Sequence, residues 1–261
     1  TLRVVGFSER EVAGVLILEL VMLSLAAVPA GLLLHDVLRP ERTRRTRGGP
    51  MTIQTDTEPV GGTTAQRLPS LPVEALRPEW RATLERIPGA GLKGDGFPRN
   101  VLGVLMHSPD TFGEFLEYWV TAKQKMHLTV REQEIVILRM GVLYGCEYVW
   151  KHHVPVGREF GISDAELVAV RAGDLAALAP RDAGLVALTD ELVDSRTIRP
   201  DLWQAHAAVL TPTEVVDLIG LVSQYVLFAL VNNAAQVVVE PALDDVPGLC
   251  DPIGPTTGEV R

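Results

Sequence analysis

The fold of this chain is decided by residues 128–167, which read LTVREQEIVILRMGVLYGCEYVWKHHVPVGREFGISDAEL. Thr129 and Ser163 are each followed three residues later by glutamate, which is the pattern of a capping box at a helix start. Gly161 stands where a helix that begins near Cys146 should end, because glycine readily adopts the conformation that closes a helix. The stretch therefore predicts successive helices that begin after Thr129, near Cys146 and after Ser163.

Three reactive side chains lie close together in this stretch, namely Glu134, Cys146 and His153. Cys146 and His153 are seven residues apart, so a helix places them on one face, with Val149 and Trp150 between them. A thiol, an imidazole and a carboxylate that meet can transfer protons or activate a nucleophile. We therefore predict a catalytic site formed by Glu134, Cys146 and His153.

Each of these residues also has a structural interpretation. Glu134 lies in the apolar run EIVILRM, where a carboxylate needs either a partner or a proton. Cys146 is either a thiol whose pKa is lowered by a helix N-terminus or a small buried apolar residue. His152 points away from the face of His153 and is expected at the surface or at an interface. The partner of Glu134 is either His153 or a cation of a structural ion pair, for which the candidates are Arg131, Arg139 and Lys151.

Further side chains are candidates for substrate binding. Trp150 is a candidate wall of the site, with core packing as the alternative. Three other residues are candidate hydrogen-bond donors to a bound acid, with polar contacts between helices as the alternative: Tyr148, Tyr225 and Asn232. The histidines are too scattered for a metal site, and no glycine-rich nucleotide loop or serine-hydrolase motif occurs. We therefore expect neither a metal nor a cofactor.

The remaining patterns indicate an all-α protein. Ser108-Pro109 and Thr211-x-x-Glu214 are further helix starts, and no stretch alternates like a strand. Residues 215–239 predict a long apolar helix that is buried all round, in a bundle or between subunits. Because Leu210-Thr211-x-x-Glu214 repeats Leu128-Thr129-x-x-Glu132, we expect a helical bundle with a duplicated helical unit.

Composition restricts the partners and the compartment. The net charge of −9 disfavours a nucleic-acid partner, since phosphate binding needs a concentrated basic face. The two cysteines lie far apart and do not form a disulfide framework. A reducing, cytoplasmic location is therefore expected.

The quoted stretch resembles the carboxymuconolactone decarboxylase family, which also contains the alkylhydroperoxidase D-like (AhpD-like) proteins. Residues 214–240 resemble the closing helix of that family, and the likeness spans roughly residues 70–245. The peroxidase branch has the pattern Glu, eleven residues, Cys, two residues, Cys, three residues, His. Glu134, Cys146 and His153 match this pattern, but Val149 stands at the second cysteine. This departure argues against a peroxidase that cycles through a disulfide.

The resemblance implies an enzyme, a carboxy-lyase without a cofactor that acts on a small organic acid or lactone by acid/base chemistry. In this hypothesis His153 donates a proton, Glu134 orients it, and Cys146 lines the site or relays a proton. Two alternatives stay open, a single-thiol peroxidase or redox protein that uses Cys146 and a non-catalytic helical oligomer. The resemblance also implies a homo-oligomer, either a trimer or a hexamer.

The chain divides into four segments by composition. Residues 1–50 are an apolar leader that resembles the tail of an FtsX-like permease, followed by a disordered arm over residues 51–69. The leader is either a membrane anchor or upstream sequence joined to a start at Met51. A membrane partner is expected only if the leader is genuine. The predicted helical domain covers residues 70–245, and a flexible tail covers residues 246–261.

Overall fold

The computed structural model describes residues 66–86, 99–207 and 210–253 of the chain. The leader, most of the arm and the end of the tail lie outside the described residues. The described residues contain nine α-helices and no strand, which confirms the predicted all-α class. The helices are α1 (Pro78–Leu84), α2 (Arg99–Leu105), α3 (Pro109–Lys125), α4 (Val130–Leu143), α5 (Glu147–Glu159), α6 (Asp164–Ala172), α7 (Pro180–Ser195), α8 (Pro200–Ala205) and α9 (Pro212–Ala235).

The three predicted capping boxes are confirmed at the starts of α4, α6 and α9. In each, a Thr or Ser side chain accepts the N–H of a glutamate three residues on, and that glutamate bonds back to the cap. Arg181 forms ion pairs with both Glu132 and Glu214 and so joins the boxes of α4 and α9. At Ser108 the helix start is confirmed, but its hydroxyl contacts Thr111 rather than a backbone N–H.

The turn between α4 and α5 places Cys146 at the start of α5. Gly145 has a φ of 55°, in the left-handed region that side chains with a Cβ adopt only at a cost. The N–H of Cys146 then donates to the carbonyl of Gly141 at 2.8 Å, which closes the end of α4. Gly161, with a φ of 85°, follows α5 as predicted.

The centre of the domain is α4, which contacts α5, α6, α7 and α9. Residues 135–138 in the middle of α4 are all apolar and fully buried, as is expected of a helix at the centre of a core. One apolar cluster contains Val136 and Leu218, and a second contains Ile135 and Trp150. Because α4 separates the clusters, a polar residue on α4 such as Glu134 is surrounded by neighbouring helices.

The helix α9 is shorter than predicted and only partly buried. It ends at Ala235, where Gln236 adopts the left-handed conformation. One face packs into the domain, whereas four apolar side chains of the other face are exposed: Val216, Ile219, Leu227 and Leu230. The expectation of burial all round is therefore not met within a single chain. Among the described residues, α9 alone has the length and composition to cross a membrane, and 44% of its most apolar window is buried.

The segment after α9 packs back onto α5 and α6. The indole N–H of Trp150 donates to the carbonyl of Pro247 at 2.9 Å, and the N–H of Leu249 donates to Glu147 at 3.0 Å. Arg171 donates to the carbonyl of Asp251 at 2.6 Å. Residues 246–253 of the expected flexible tail are thus held in place, and residues 254–261 lie outside the described residues.

Candidate active site

The structure brings Glu134 of α4 and His153 of α5 into direct contact. The Nδ1 atom of His153 lies 2.5 Å from Oε2 of Glu134. The glutamate side chain is 1% exposed, whereas that of His153 is 17% exposed. Glu134 therefore contacts the ring from inside the domain, and the His153 side chain is more exposed than its partner.

The second partner of Glu134 is Lys123, from the last turns of α3. Its Nζ atom lies 3.3 Å from Oε1 of Glu134. The contact with His153 is one of the two alternatives that the sequence left open, and the three cations of the other alternative are engaged elsewhere. Arg131 pairs with Asp182 and Glu166, Arg139 pairs with Asp190, and Lys151 contacts the carbonyls of Leu243 and Asp244.

Tyr225 of α9 completes the group on the other side of the imidazole. Its hydroxyl lies 3.2 Å from Nε2 of His153, and the two rings meet edge to face. Four helices thus supply one connected chain of polar side chains, in the order Lys123, Glu134, His153 and Tyr225. We call this set the Lys–Glu–His–Tyr chain.

The electrostatics of the Lys–Glu–His–Tyr chain favour a neutral His153 ring in contact with an ionised Glu134 carboxylate. Burial alone would raise the pKa of Glu134, but the charge that His153 carries at acid pH, the charge of Lys123 and the hydrogen bonds from both side chains outweigh burial and lower the pKa to about 2. Burial lowers the pKa of His153, and the contact with Glu134 offsets only part of that effect. At neutral pH the ring therefore donates from Nδ1 to Glu134 and presents an unprotonated Nε2.

Lys123 supplies the charge that balances Glu134. Burial would lower the pKa of Lys123, but interactions with Tyr225 and Glu134 raise it above its ordinary value, so the ammonium form persists. Burial raises the pKa of Tyr225 to about 12, against the lowering influence of the Lys123 ammonium. Tyr225 is therefore a neutral hydroxyl that donates to Nε2 of His153.

Cys146 is not a member of the Lys–Glu–His–Tyr chain. It is the N-cap of α5, where the backbone N–H groups of Tyr148 and Val149 favour a thiolate. Burial is the larger effect, because the side chain is fully buried, and it raises the pKa to about 11. Within the described part of the chain no hydrogen bond joins Cys146 to His153. The interpretation as a small buried apolar residue fits this environment, and a lowered thiol pKa does not.

The other candidate residues occupy different surroundings. Trp150 is fully buried in the apolar cluster that contains Ile135, and its indole N–H donates to the carbonyl of Pro247. The hydroxyl of Tyr148 contacts Glu240 at 2.8 Å. Asn232 is buried in α9 and donates to the carbonyl of Phe228. Of the predicted substrate-binding residues, only Tyr225 meets the Lys–Glu–His–Tyr chain.

Two further findings differ from the sequence interpretation. His152, expected at the surface or at an interface, is buried and contacts Glu240 at 2.6 Å. Lys123 was not considered, although a signal for it exists. It follows Trp119 by four residues and Leu116 by seven, so it continues the buried stripe of α3. No group of three or more potential metal ligands occurs in the described residues.

Comparisons with known proteins agree with this fold. Residues 109–191 match the model of the carboxymuconolactone decarboxylase family. Among curated proteins, none matches the chain. The fold is similar to that of an alkylhydroperoxidase AhpD core, an uncharacterized peroxidase-related protein from Ralstonia eutropha JMP134. That similarity has a TM-score of 0.57 at 18% identity and covers 68% of this chain and 93% of the other.

A second solved structure with a similar fold is that of the debrominase Bmp8. Its TM-score is 0.57 at 12% identity, over 70% of this chain and 96% of the other. At these identities the structural likeness concerns the fold. The family match over residues 109–191 covers the helices from α3 to most of α7.

Proposed function

We propose that this chain is a member of the superfamily of carboxymuconolactone decarboxylases and AhpD-like proteins, and that it is a cofactor-free enzyme that decarboxylates a small organic acid or lactone. The observation that carries the proposal is the Lys–Glu–His–Tyr chain, in which a buried carboxylate holds an imidazole whose other nitrogen faces a hydroxyl. A carboxylate that orients an imidazole in this way is a common device for proton transfer.

The first step is the loss of carbon dioxide. The bond between the carboxylate and the neighbouring carbon breaks, and its electron pair moves into the adjacent carbonyl group to form an enolate. The ammonium of Lys123 and the hydroxyl of Tyr225 are donors that can stabilise the enolate oxygen. Because both donors are attached to packed helices, they are oriented before the charge develops.

The second step is proton transfer to the enolate carbon. His153 is neutral in the free protein and binds a proton together with the anionic substrate, whose charge favours the imidazolium. Nε2 then gives this proton to carbon and the ring returns to its neutral form. Glu134 stabilises the imidazolium while it lasts. The sum is one substrate anion and one proton converted into one neutral product and carbon dioxide.

The test is carbon dioxide release from a panel of carboxylactones and β-keto acids. His153→Ala is expected to lower kcat by about 100-fold or more, since general acid catalysis contributes that much. His127→Ala is the matched control, because His127 is exposed and pairs with Asp217 outside the site. Unchanged turnover in His153→Ala would refute the mechanism.

The pH dependence gives a second measurement of the same proposal. Because kcat/KM reports the free enzyme and the reaction consumes a proton, kcat/KM should fall as pH rises. Burial lowers the pKa of His153 below its ordinary value of 6.5, so the midpoint should lie below that value. A rate that rises with pH through this range would instead indicate that His153 is a base.

The second candidate function is single-thiol redox or dehalogenation chemistry at Cys146. Two observations favour it, the backbone N–H groups directed at its sulfur and the likeness to a protein described as a debrominase. The test is the alkylation rate of Cys146 against pH, with Cys250 replaced by Ser. A pKa well below about 8.5 would support thiol chemistry, and a pKa near 11 would exclude a stable thiolate.

Val149→Cys gives an independent test of the same candidate, because it restores the second cysteine of the peroxidase pattern. If Cys146 performs peroxide chemistry, this variant should increase peroxide turnover. No increase would leave the second candidate without support.

A further inference from the structure

Trp119 of α3 has a buried indole N–H that makes no hydrogen bond. The residue is 7% exposed, and its Nε1 atom has no acceptor among the described residues. The buried indole N–H of Trp150, by contrast, donates to the carbonyl of Pro247 at 2.9 Å. A buried donor without an acceptor destabilises a fold, so its presence requires an explanation such as a bound ligand or a role in catalysis.

Two sets of contacts place Trp119 beside the Lys–Glu–His–Tyr chain. Trp119 precedes Lys123 by four residues, and residues four apart lie on the same face of a helix. The rings of Trp119 and Tyr225 both pack against Phe228, with centroid distances of 5.3 Å and 5.5 Å. The indole is therefore a neighbour of Lys123 and Tyr225, the two donors assigned to the enolate oxygen.

The N–H of Trp119 is close to the hydroxyl of Tyr225. Burial raises the pKa of Tyr225 to about 12, whereas the ammonium of Lys123 and the indole N–H of Trp119 act in the opposite direction, as nearby donors do. No hydrogen bond joins Trp119 to Tyr225, however. The indole donor is therefore unused in the free protein, although it lies at the site.

The three neighbouring donors have one kind of acceptor in common. An ammonium and an indole N–H are donors only, so Lys123 and Trp119 cannot bond to each other. The hydroxyl of Tyr225 donates to Nε2 of His153 in the free protein, and it loses this acceptor when Nε2 binds a proton. An oxygen with negative charge can accept hydrogen bonds from all three groups at once.

We propose that Trp119 is a further substrate-binding residue, whose indole N–H donates to the same substrate oxygen as Lys123 and Tyr225. This inference rests on the proposed function, in which that oxygen becomes an enolate oxygen when carbon dioxide leaves. Trp119 is the third donor oriented towards the developing charge, and its packing against Phe228 fixes the indole before the reaction. The substrate class is therefore an acid with a carbonyl group β to the carboxylate that is lost, since such an acid presents this oxygen.

The first test is the turnover of Trp119→Phe on the best substrate of the β-keto acid panel. This variant keeps an aromatic ring beside Phe228 and removes the N–H, so kcat should fall by about 100-fold or more, as on loss of one oxyanion donor. Trp80→Phe is the matched control, because Trp80 is 6% exposed and meets Phe112 edge to face. It should leave kcat unchanged. An unchanged kcat in folded Trp119→Phe, while His153→Ala loses activity, would overturn this inference and leave the proposed function intact.

A second measurement uses the unaltered protein, so it does not depend on the folding of a variant. The chain has four tryptophans, whose indole N–H signals are followed by ¹H–¹⁵N NMR during titration with oxalate, succinate and benzoate. The carboxylate oxygens of these anions stand in for the enolate oxygen. The Trp119 signal should move downfield as its N–H donates to the anion, and the Trp150 signal should stay in place, because its N–H is already bonded to Pro247.

The outcomes of this titration separate the two proposals. A Trp119 signal that none of the three anions moves would overturn the inference. A shift of the Trp119 signal together with no release of carbon dioxide from any acid of the panel would support the anion site and refute the proposed function.

Discussion

At the scale of single residues, the site depends on how one buried carboxylate is shared. Glu134 gives one oxygen to His153 and the other to Lys123, and it is almost fully buried. An isolated charge at such a depth would be costly, so both partners are needed to keep it ionised. Lys123 carries the balancing charge, which leaves the imidazole free to gain and lose a proton.

Replacement of Glu134 tests this division of charge through the pH dependence of stability. The pKa of Glu134 in the folded protein is about 2, below the ordinary value of 4.5. Its contribution to the free energy of unfolding is therefore fully present above pH 4.5 and is lost as the pH falls towards 2. Glu134→Gln should therefore destabilise the protein at neutral pH by on the order of 3 kcal/mol. Urea denaturation should show that this difference shrinks below pH 4.5. A difference that stays constant over this range would contradict the assignment.

At the scale of elements, the sequence predicted the helices because their ends are encoded locally. Three capping boxes and the glycine after α5 each mark a boundary within a few residues of chain. The extent of α9 was less predictable, because its apolar composition continues beyond the residue where the backbone leaves the helix. Contacts between elements, such as Arg181 between α4 and α9, are not encoded locally and became visible only in the structure.

The capping boxes should contribute measurably to stability. Thr129→Ala removes the hydroxyl that accepts the N–H of Glu132, and we expect a loss of about 1 kcal/mol in the free energy of unfolding. Ser108→Ala is a matched control at the start of α3, because that hydroxyl does not cap the backbone. Chemical denaturation of both variants is the measurement. Equal losses in the two variants would show that the box at Thr129 adds nothing.

At the scale of the whole molecule, the site is an assembly of distant parts of the chain. Spacing within one helical hairpin predicted that Glu134 and His153 would meet, and they do. Lys123 and Tyr225 lie on other helices, and Glu240 follows His152 by 88 residues, so only tertiary packing brings these groups together. Cys146 matches the sequence pattern equally well, yet its side chain is fully buried and no hydrogen bond joins it to His153 in the described residues.

The exposed apolar face of α9 leads to a prediction about assembly. Several large apolar side chains exposed on one helix are typical of an interaction site, and we expect this face to form contacts between copies of the chain in a trimer or hexamer. Light scattering should show that Val216→Lys with Leu230→Lys reduces the oligomer. Val168→Lys on α6, another exposed apolar position, should leave the oligomer unchanged. A monomeric unaltered protein would contradict this expectation.

The central claim is that this site catalyses its reaction by proton transfer from the imidazole of His153 and not by chemistry at the thiol of Cys146. The most direct measurement compares the decarboxylation rates of Cys146→Ala and the unaltered protein on the substrate that gives the highest turnover. Because no hydrogen bond joins Cys146 to the Lys–Glu–His–Tyr chain in the described residues, we predict rates within about threefold of each other, far less than the loss expected on removing a general acid. A loss of activity in folded Cys146→Ala as large as that in His153→Ala would contradict the account.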